Sequence, residues 1–171
     1  MTKAQDSTLK NIATCSDGVK LFVELSNLLS GFDTVELWGT GMVEAYYDEV
    51  NLIIGEREMG KLLGAFTELG NSPQEREGKI EEKILNNDRY GPVARNIIRL
   101  WYLGAWQQLP REWRNTYGAT SFDTDHIVSA KSYQESLVWI AGGAHPMGAK
   151  QQGFGAWAKK PEAETSSGAK P

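Results

Sequence analysis

The chain has 171 residues, of which 40% are hydrophobic and 23% are charged, and its formal net charge is -4. This length and composition predict one globular domain with a hydrophobic core, and not a disordered chain. The negative charge argues against a nucleic-acid binder, because neutralising phosphates requires a clustered excess of Lys and Arg. No apolar run approaches the roughly 18 residues of a membrane span, so none is predicted.

The cysteine content and the first residues of the chain are evidence on its cellular compartment. Cys15 is the only cysteine, so this chain alone cannot form a disulfide, a cysteine-ligated zinc site or an iron-sulfur cluster. Residues 1–14 are polar and show neither the charged start and apolar run of a secretory leader nor a pair of arginines. The sequence as given therefore predicts a cytoplasmic chain.

The first half of the chain shows helical periodicity. Apolar residues recur at three-to-four spacing over residues 19–29, which predicts a first helix that ends at Gly31. The same spacing over residues 42–54 and 59–66 predicts two further helices. Gly55 is predicted to separate them.

A start signal precedes the fourth predicted helix. Ser72 is suited to cap the free amides, Pro73 fits the first helical position, and Glu75 completes a capping box. The polar face of this helix carries charges of mixed sign, which we interpret as a solvated face without a function. Pro92 opens a fifth helix, which we expect to continue as far as Pro110.

The remaining signals are short. Residues 111–117 are predicted to form a short helical turn, residues 123–126 a turn, and residues 132–139 a last short helix. No convincing alternation of apolar and polar residues occurs, so strands are predicted to be minor or absent. The predicted class is all-α.

The predicted organisation follows from where this periodicity stops. From residue 142 onward, glycines and prolines leave no periodic face, and the last ten residues are small and polar. We therefore predict four parts: a flexible N-terminus (1–16), a small domain of about five or six helices (17–141), an extended glycine-rich arm that binds a partner (142–158) and a disordered tail (159–171).

The common cofactor motifs are missing from the sequence. Gly39 and Gly41 are the nearest approach to a dinucleotide fingerprint, but Glu44 stands where the third glycine is needed and no strand precedes them. There is also no phosphate-binding GxxxxGK[ST] loop, no HExxH and no CxxCH. We predict no cofactor and no metal in this chain.

The two histidines, His126 and His145, are the candidates for direct general acid–base chemistry. Asp123, Asp125 and His126 are compatible with metal ligation, and also with a capped turn before the last helix, which we favour. His145 precedes Pro146 in the glycine-rich segment, where it is suited to donate to a substrate or, as we favour, to contact another chain.

Aromatic residues are distributed unevenly, since five of the six tryptophans lie in the second half. There they alternate with arginines, and Trp, Tyr and Arg are the residues most enriched at binding hot spots. A tryptophan-rich core is the alternative explanation, and we favour a large interface. The predicted interface residues are Arg95, Arg99, Trp101, Tyr102, Trp106 and Trp113 on the helical domain, with His145, Pro146, Met147, Phe154 and Trp157 on the arm.

Residues 90–118 and 126–158 resemble the small subunit of bacterial FAD-dependent sugar and polyol dehydrogenases, which include sorbitol, fructose, gluconate and glucoside dehydrogenases. Arg99, Trp101 and Tyr102 form an R-x-W-Y element, and residues 145–150 read HPMGAK. Residues 22–32 resemble the first helix of the same subunits. The elements are specific in combination and weak singly.

The resemblance implies a helical subunit without a cofactor that supports the folding, stability and export of a larger partner. Small subunits of this family commonly carry a twin-arginine leader, so the resemblance predicts a periplasmic chain if such a leader was removed. That partner is a flavoprotein of the GMC type, which holds the FAD and the catalytic histidine. Some such complexes add an iron-sulfur cluster in the large subunit and a cytochrome c as electron acceptor. We therefore expect a non-catalytic accessory subunit. The alternatives are a self-associating helical scaffold and an enzyme that uses His126 or His145 directly.

Overall fold

The computed structural model describes residues 3–149, with side chains for residues 17–149. It confirms the all-α class, since the strands of this part are two residues each. In chain order the elements are α1 (Lys3–Ser30), α2 (Thr34–Gly39), α3 (Val43–Ile54), α4 (Glu56–Thr67), α5 (Pro73–Ile80), a π-helical turn (Glu81–Leu85), α6 (Gly91–Leu103), β1 (Ala105–Trp106), α7 (Arg111–Tyr117), β2 (His126–Ile127), α8 (Ala130–Gln134) and α9 (Val138–Ala141).

Helix α1 begins much earlier than predicted. The segment 1–16 was predicted to be flexible, yet the backbone is helical from Lys3 onward. The physical reason is visible in the sequence, because no glycine or proline interrupts the chain between Lys3 and Asp17. The first helix therefore includes residues 3–16, which the sequence had not predicted to be helical.

Local capping accounts for two helix starts. The predicted capping box forms at the start of α5: the amide of Glu75 donates to the hydroxyl oxygen of Ser72 at 3.2 Å, and the amide of Ser72 donates to Oε2 of Glu75 at 3.4 Å. Helix α2 was not predicted, although it uses the same device. The amide of Glu36 donates to Oδ1 of Asp33 at 2.8 Å, and the amide of Asp33 donates to Oε2 of Glu36 at 2.9 Å.

Two glycines with positive φ set helix boundaries. Gly55, at φ +80°, separates α3 from α4 as predicted. Gly104, at φ +66° and ψ 20°, ends α6 in the left-handed conformation that glycine adopts without steric cost. The expectation that this helix continues to Pro110 is wrong, because Gly104 ends it and Ala105–Trp106 is already a strand.

The core lies mainly where α1, α3, α4 and α6 meet. Its largest fully buried side chains include Phe22 from α1, Tyr46 from α3, Phe66 from α4 and Trp101 from α6. The rings of Tyr46 and Trp101 meet edge to face with centroids 4.9 Å apart, a favourable geometry for aromatic pairs.

The segment after β1 is fastened to the end of α6. Strand β1 pairs antiparallel with β2, and the hydroxyl of Ser132 donates to the carbonyl of Gly104 at 3.0 Å. The amide of Leu137 donates to the carbonyl of Trp101 at 2.9 Å. The single helix predicted over 132–139 is instead two, α8 and α9, because Ser129 caps a helix that already ends at Gln134.

A buried ion pair joins α4 to the chain before α6. Glu58 is almost fully buried, and Arg89 donates to both of its carboxylate oxygens at 2.7 and 2.8 Å. Burial raises the pKa of Glu58, but the hydrogen bonds from Arg89 and Lys61 outweigh it and hold that pKa below its usual range. The guanidinium of Arg89 also lies over the ring of Tyr117 on α7.

The first part of the predicted arm contains two turns. They are formed by residues 142–143 and 147–149, the amide of Ala144 donates to the carbonyl of Trp139 at 2.8 Å, and Pro146 is buried. The arm is therefore not continuously extended over these residues. The remainder of the arm and the predicted tail (159–171) lie outside the described residues. Among residues 3–149, no helix has both the length and the apolar character that crossing a bilayer requires.

Candidate partner-binding surface

Three of the tryptophans predicted to contact a partner belong to this chain's own core. Trp101, Trp106 and Trp113 are 0%, 2% and 4% exposed. A side chain that is buried in the folded monomer has no surface left for a partner, so the interface prediction is wrong for these three residues. The alternative explanation, a tryptophan-rich core, is correct for them.

Hydrogen bonds fix two of these indoles. Nε1 of Trp106 donates to Oδ1 of Asp123 at 2.9 Å, and the same buried carboxylate accepts from the amide of Leu109. Nε1 of Trp113 donates to the carbonyl of Arg89 at 2.6 Å. Buried polar groups need such partners. The first set of bonds joins the loops on either side of α7 to β1, and the second joins α7 itself to the segment before α6.

The other predicted residues of α6 lie nearer the surface. The hydroxyl of Tyr102 donates to the carbonyl of Ser30 at 2.8 Å, which joins α6 to the end of α1. Arg99 is half-buried and donates to Oδ1 of Asn96 at 3.4 Å. Arg95 is exposed and donates to the carbonyl of Leu85 at 2.9 Å, beside a shallow polar groove between the π-helical turn and α7. Of the predicted residues on α6, only Arg95 is exposed.

The predicted interface residues on the arm also include both exposed and buried side chains. His145 and Met147 are exposed, and Met147 retains 69% of its accessible surface, whereas Pro146 is buried and is therefore unavailable to a partner. The prediction is wrong for Pro146. Phe154 and Trp157 lie outside the described residues.

Three apolar side chains that are close in sequence are exposed near the end of the described chain: Val138 and Ile140 on α9, and Met147 in the predicted arm. We call them together the C-terminal apolar surface. Met147 was predicted from the sequence, whereas Val138 and Ile140 were not. Ile140 is 62% exposed, which is unusual for a branched aliphatic side chain in a short helix. The run VWIA was visible in the sequence, but four residues are too few for helical periodicity to distinguish a buried face from an exposed one.

The candidate catalytic and metal-binding residues make structural contacts. Nδ1 of His126 lies 2.7 Å from the carbonyl of Thr124, and Nε2 lies 2.8 Å from a carboxylate oxygen of Glu49. Both neighbours are acceptors, so each ring nitrogen faces a polar group of this chain, and which of them donates depends on the tautomer. The carboxylate of Asp125 accepts from the amide of Gln108. These contacts hold the turn before β2 against α3.

Within the described residues, no group of three or more His, Cys, Asp or Glu side chains is placed to hold a metal ion. His145 is exposed and stands apart from the His126–Glu49 pair in the sequence. No known protein-family model, curated protein or solved structure matches this chain. A functional assignment therefore depends on the surface described above and on the resemblance of the sequence motifs.

Proposed function

We propose that this chain is a non-catalytic accessory subunit that binds and stabilises the FAD-containing catalytic subunit of a sugar or polyol dehydrogenase. The observation that supports this proposal best is the C-terminal apolar surface. Ile140 and Met147 lie within eight residues of each other and are mostly exposed, inside the segment 126–158 whose motifs resemble dehydrogenase small subunits. Exposed apolar side chains concentrated in one short segment are suited to a protein–protein contact.

The histidines favour the same conclusion over an enzyme. A general base needs a nitrogen that can reach a substrate, and both ring nitrogens of His126 face acceptors of this chain. His145 is exposed, but nothing in the described chain places a second catalytic group beside it. In the proposed complex, the oxidation of the sugar and the binding of FAD belong to the partner, and electrons pass onward from it to a cytochrome c or another acceptor.

Co-purification of the full chain from its native host tests the proposal. We expect a larger protein to accompany the chain, and mass spectrometry with a flavin absorbance spectrum identifies it. The isolated chain is expected to be colourless and inactive with sugars and a redox dye. Stoichiometric flavin in the isolated chain, or turnover by it, would contradict the proposal.

A pair of variants makes this test specific. Ile140→Asp places a charge on the C-terminal apolar surface, and Val35→Asp places the same charge on α2 at a side chain that is 77% exposed. Loss of one hot-spot contact costs about 2 kcal/mol, which corresponds to roughly a 30-fold weaker complex. We expect that loss for Ile140→Asp alone, measured as the dissociation constant of the flavoprotein complex.

Self-association through the same surface is the second candidate function, because an exposed apolar surface also fits a second copy. Light scattering of the purified chain distinguishes the two. We expect a monomer. A homo-oligomer that Ile140→Asp dissociates would favour the scaffold instead.

A further inference from the structure

A second surface feature is a groove formed by the first half of the sequence, between α1, α3 and α4. The residues that α4 contributes share one helical face: Glu56, Met59, Gly60, Leu63, Gly64 and Thr67. Their spacing of three and four keeps that face toward the groove for three turns, a length of about 17 Å. We call this feature the α4 groove.

Two glycines in the α4 groove have no close neighbour among the described residues that would require them. Gly60 and Gly64 lie four residues apart in the helix interior, and a Cβ atom built at either would meet no atom within 4 Å. A glycine in a helix costs about 0.5 to 1 kcal/mol relative to alanine. No close contact with a described residue requires that cost, whereas an element that approaches the helix backbone from outside would use the space.

The floor of the groove is apolar. Met59 and Leu63 are buried along α4, and Leu21 of α1 and Tyr47 of α3 are half-buried on the two sides. Tyr47 is held edge to face against Phe22, with ring centroids 5.8 Å apart. An apolar floor between fixed helices is the shape that accepts the apolar face of another helix.

The rim of the groove is acidic. Asp17, Asp48 and Glu56 line it, and the lining residues that the structure describes include neither Lys nor Arg. Asp17 is paired with Lys20 across 3.5 Å, but neither Asp48 nor Glu56 forms an ion pair with a side chain described in residues 17–149. An occupant with basic flanks would match these charges.

We propose that the α4 groove binds an amphipathic helix of a partner protein, about three turns long, with small apolar side chains toward Gly60 and Gly64 and with Lys or Arg on its flanks. Small residues at the contact let two helices approach closely, and basic flanks answer Asp48 and Glu56. The assignment of this helix to the catalytic subunit rests on the proposed function.

A stapled helical peptide of about 12 residues serves as the probe, since unconstrained helices of that length are marginal in water. One version carries Ala and Leu on one face with Lys on both flanks, and the matched version carries Glu on the flanks. Binding to the full chain is measured by fluorescence anisotropy. We expect the Lys-flanked peptide to bind at least about tenfold more tightly than the Glu-flanked one.

A variant that fills the groove with larger side chains tests whether the peptide binds there. Gly60→Leu/Gly64→Leu occupies the space that the helix would use, and Gly78→Leu is the matched control, because Gly78 on α5 also has no neighbour within 4 Å and lies outside the groove. Leucine favours the helix more than glycine, so melting temperatures should be unchanged or higher. We expect about a tenfold or greater loss of Lys-flanked peptide binding for the double variant and none for Gly78→Leu.

Equal binding of the two peptides, or full binding by the double variant, would overturn the proposal. So would a dimer that the double variant dissociates, because the occupant would then be a second copy of this chain. A gain in peptide affinity on Trp157→Ala would assign the groove to the chain's own C-terminal segment and overturn the partner assignment.

The same variants separate this proposal from the proposed function. If a flavoprotein co-purifies equally with the wild type and with Gly60→Leu/Gly64→Leu, the groove assignment is wrong and the proposed function stands. If the peptides behave as expected and no flavoprotein co-purifies, the groove binds a basic helix and the proposed function is wrong.

Discussion

The junction between α6 and α8 provides the sharpest test of how this fold is held together. Alanine at Gly104 would have to adopt φ +66°, which costs a non-glycine residue about 1 to 2 kcal/mol. Its Cβ would also lie 2.6 Å from the backbone carbon and oxygen of Ser132, so α8 would have to move. That movement weakens the hydrogen bonds that the carbonyl of Gly104 accepts from Ser132 and from the amide of Val128, both at 3.0 Å.

The expected cost of Gly104→Ala is the sum of these effects. Two weakened hydrogen bonds contribute about 1 kcal/mol each, so the free energy of unfolding should fall by about 3 to 4 kcal/mol. Urea unfolding measures this loss, and Gly31→Ala is the control. Gly31 has φ +78°, but an added Cβ there meets no atom within 4 Å, so only the backbone cost of about 1 to 2 kcal/mol is expected. Equal losses in the two variants would refute the role given to the Ser132 contact.

Three further predictions address the core and the arm. The pKa of Glu58 is lower in the folded chain than in the unfolded chain. Its ionised form therefore stabilises the fold above the unfolded-state pKa, and this stabilisation is lost as the pH falls through the folded-state pKa. The melting temperatures of the wild type and Glu58→Gln should therefore converge toward acidic pH. Trp106→Phe removes the bond to Asp123 and should cost about 2 to 4 kcal/mol in urea unfolding, whereas Trp38→Phe, at an exposed indole, should cost less than about 0.5 kcal/mol. Deleting residues 150–171 should lower the yield of the flavoprotein complex and leave the melting temperature of the isolated chain unchanged; a lower melting temperature would contradict this.

Local signals made much of the fold predictable. Helix α7 was predicted over residues 111–117 because Pro110 and Gly118 bound it, and these are the observed limits. The capping box at Ser72 and the separation at Gly55 were predicted for the same reason, since each depends on residues within one helical turn. The π-helical turn Glu81–Leu85 was not predicted, and we found no sequence signal for it.

The candidate surface was much less predictable, because burial depends on contacts between distant residues. The buried indole of Trp106 donates to Asp123, seventeen residues later, and that of Trp113 donates to the carbonyl of Arg89, twenty-four residues earlier. Tryptophan is common both in cores and at hot spots, so composition alone does not separate the two. The spacing of Gly60 and Gly64 was visible in the sequence, but only the packing of three helices shows that both face a groove.

The burial of the tryptophans has a consequence for how this molecule can be observed. Indole emission shifts to longer wavelength when water reaches the ring, and Trp101, Trp106 and Trp113 are shielded in the folded chain. Their emission should therefore redden on unfolding and give an intrinsic optical signal of the folded fraction. The described lining of the α4 groove contains no tryptophan, so occupancy of the groove should not disturb that signal directly. Folding and peptide binding can thus be followed in one cuvette at separate wavelengths.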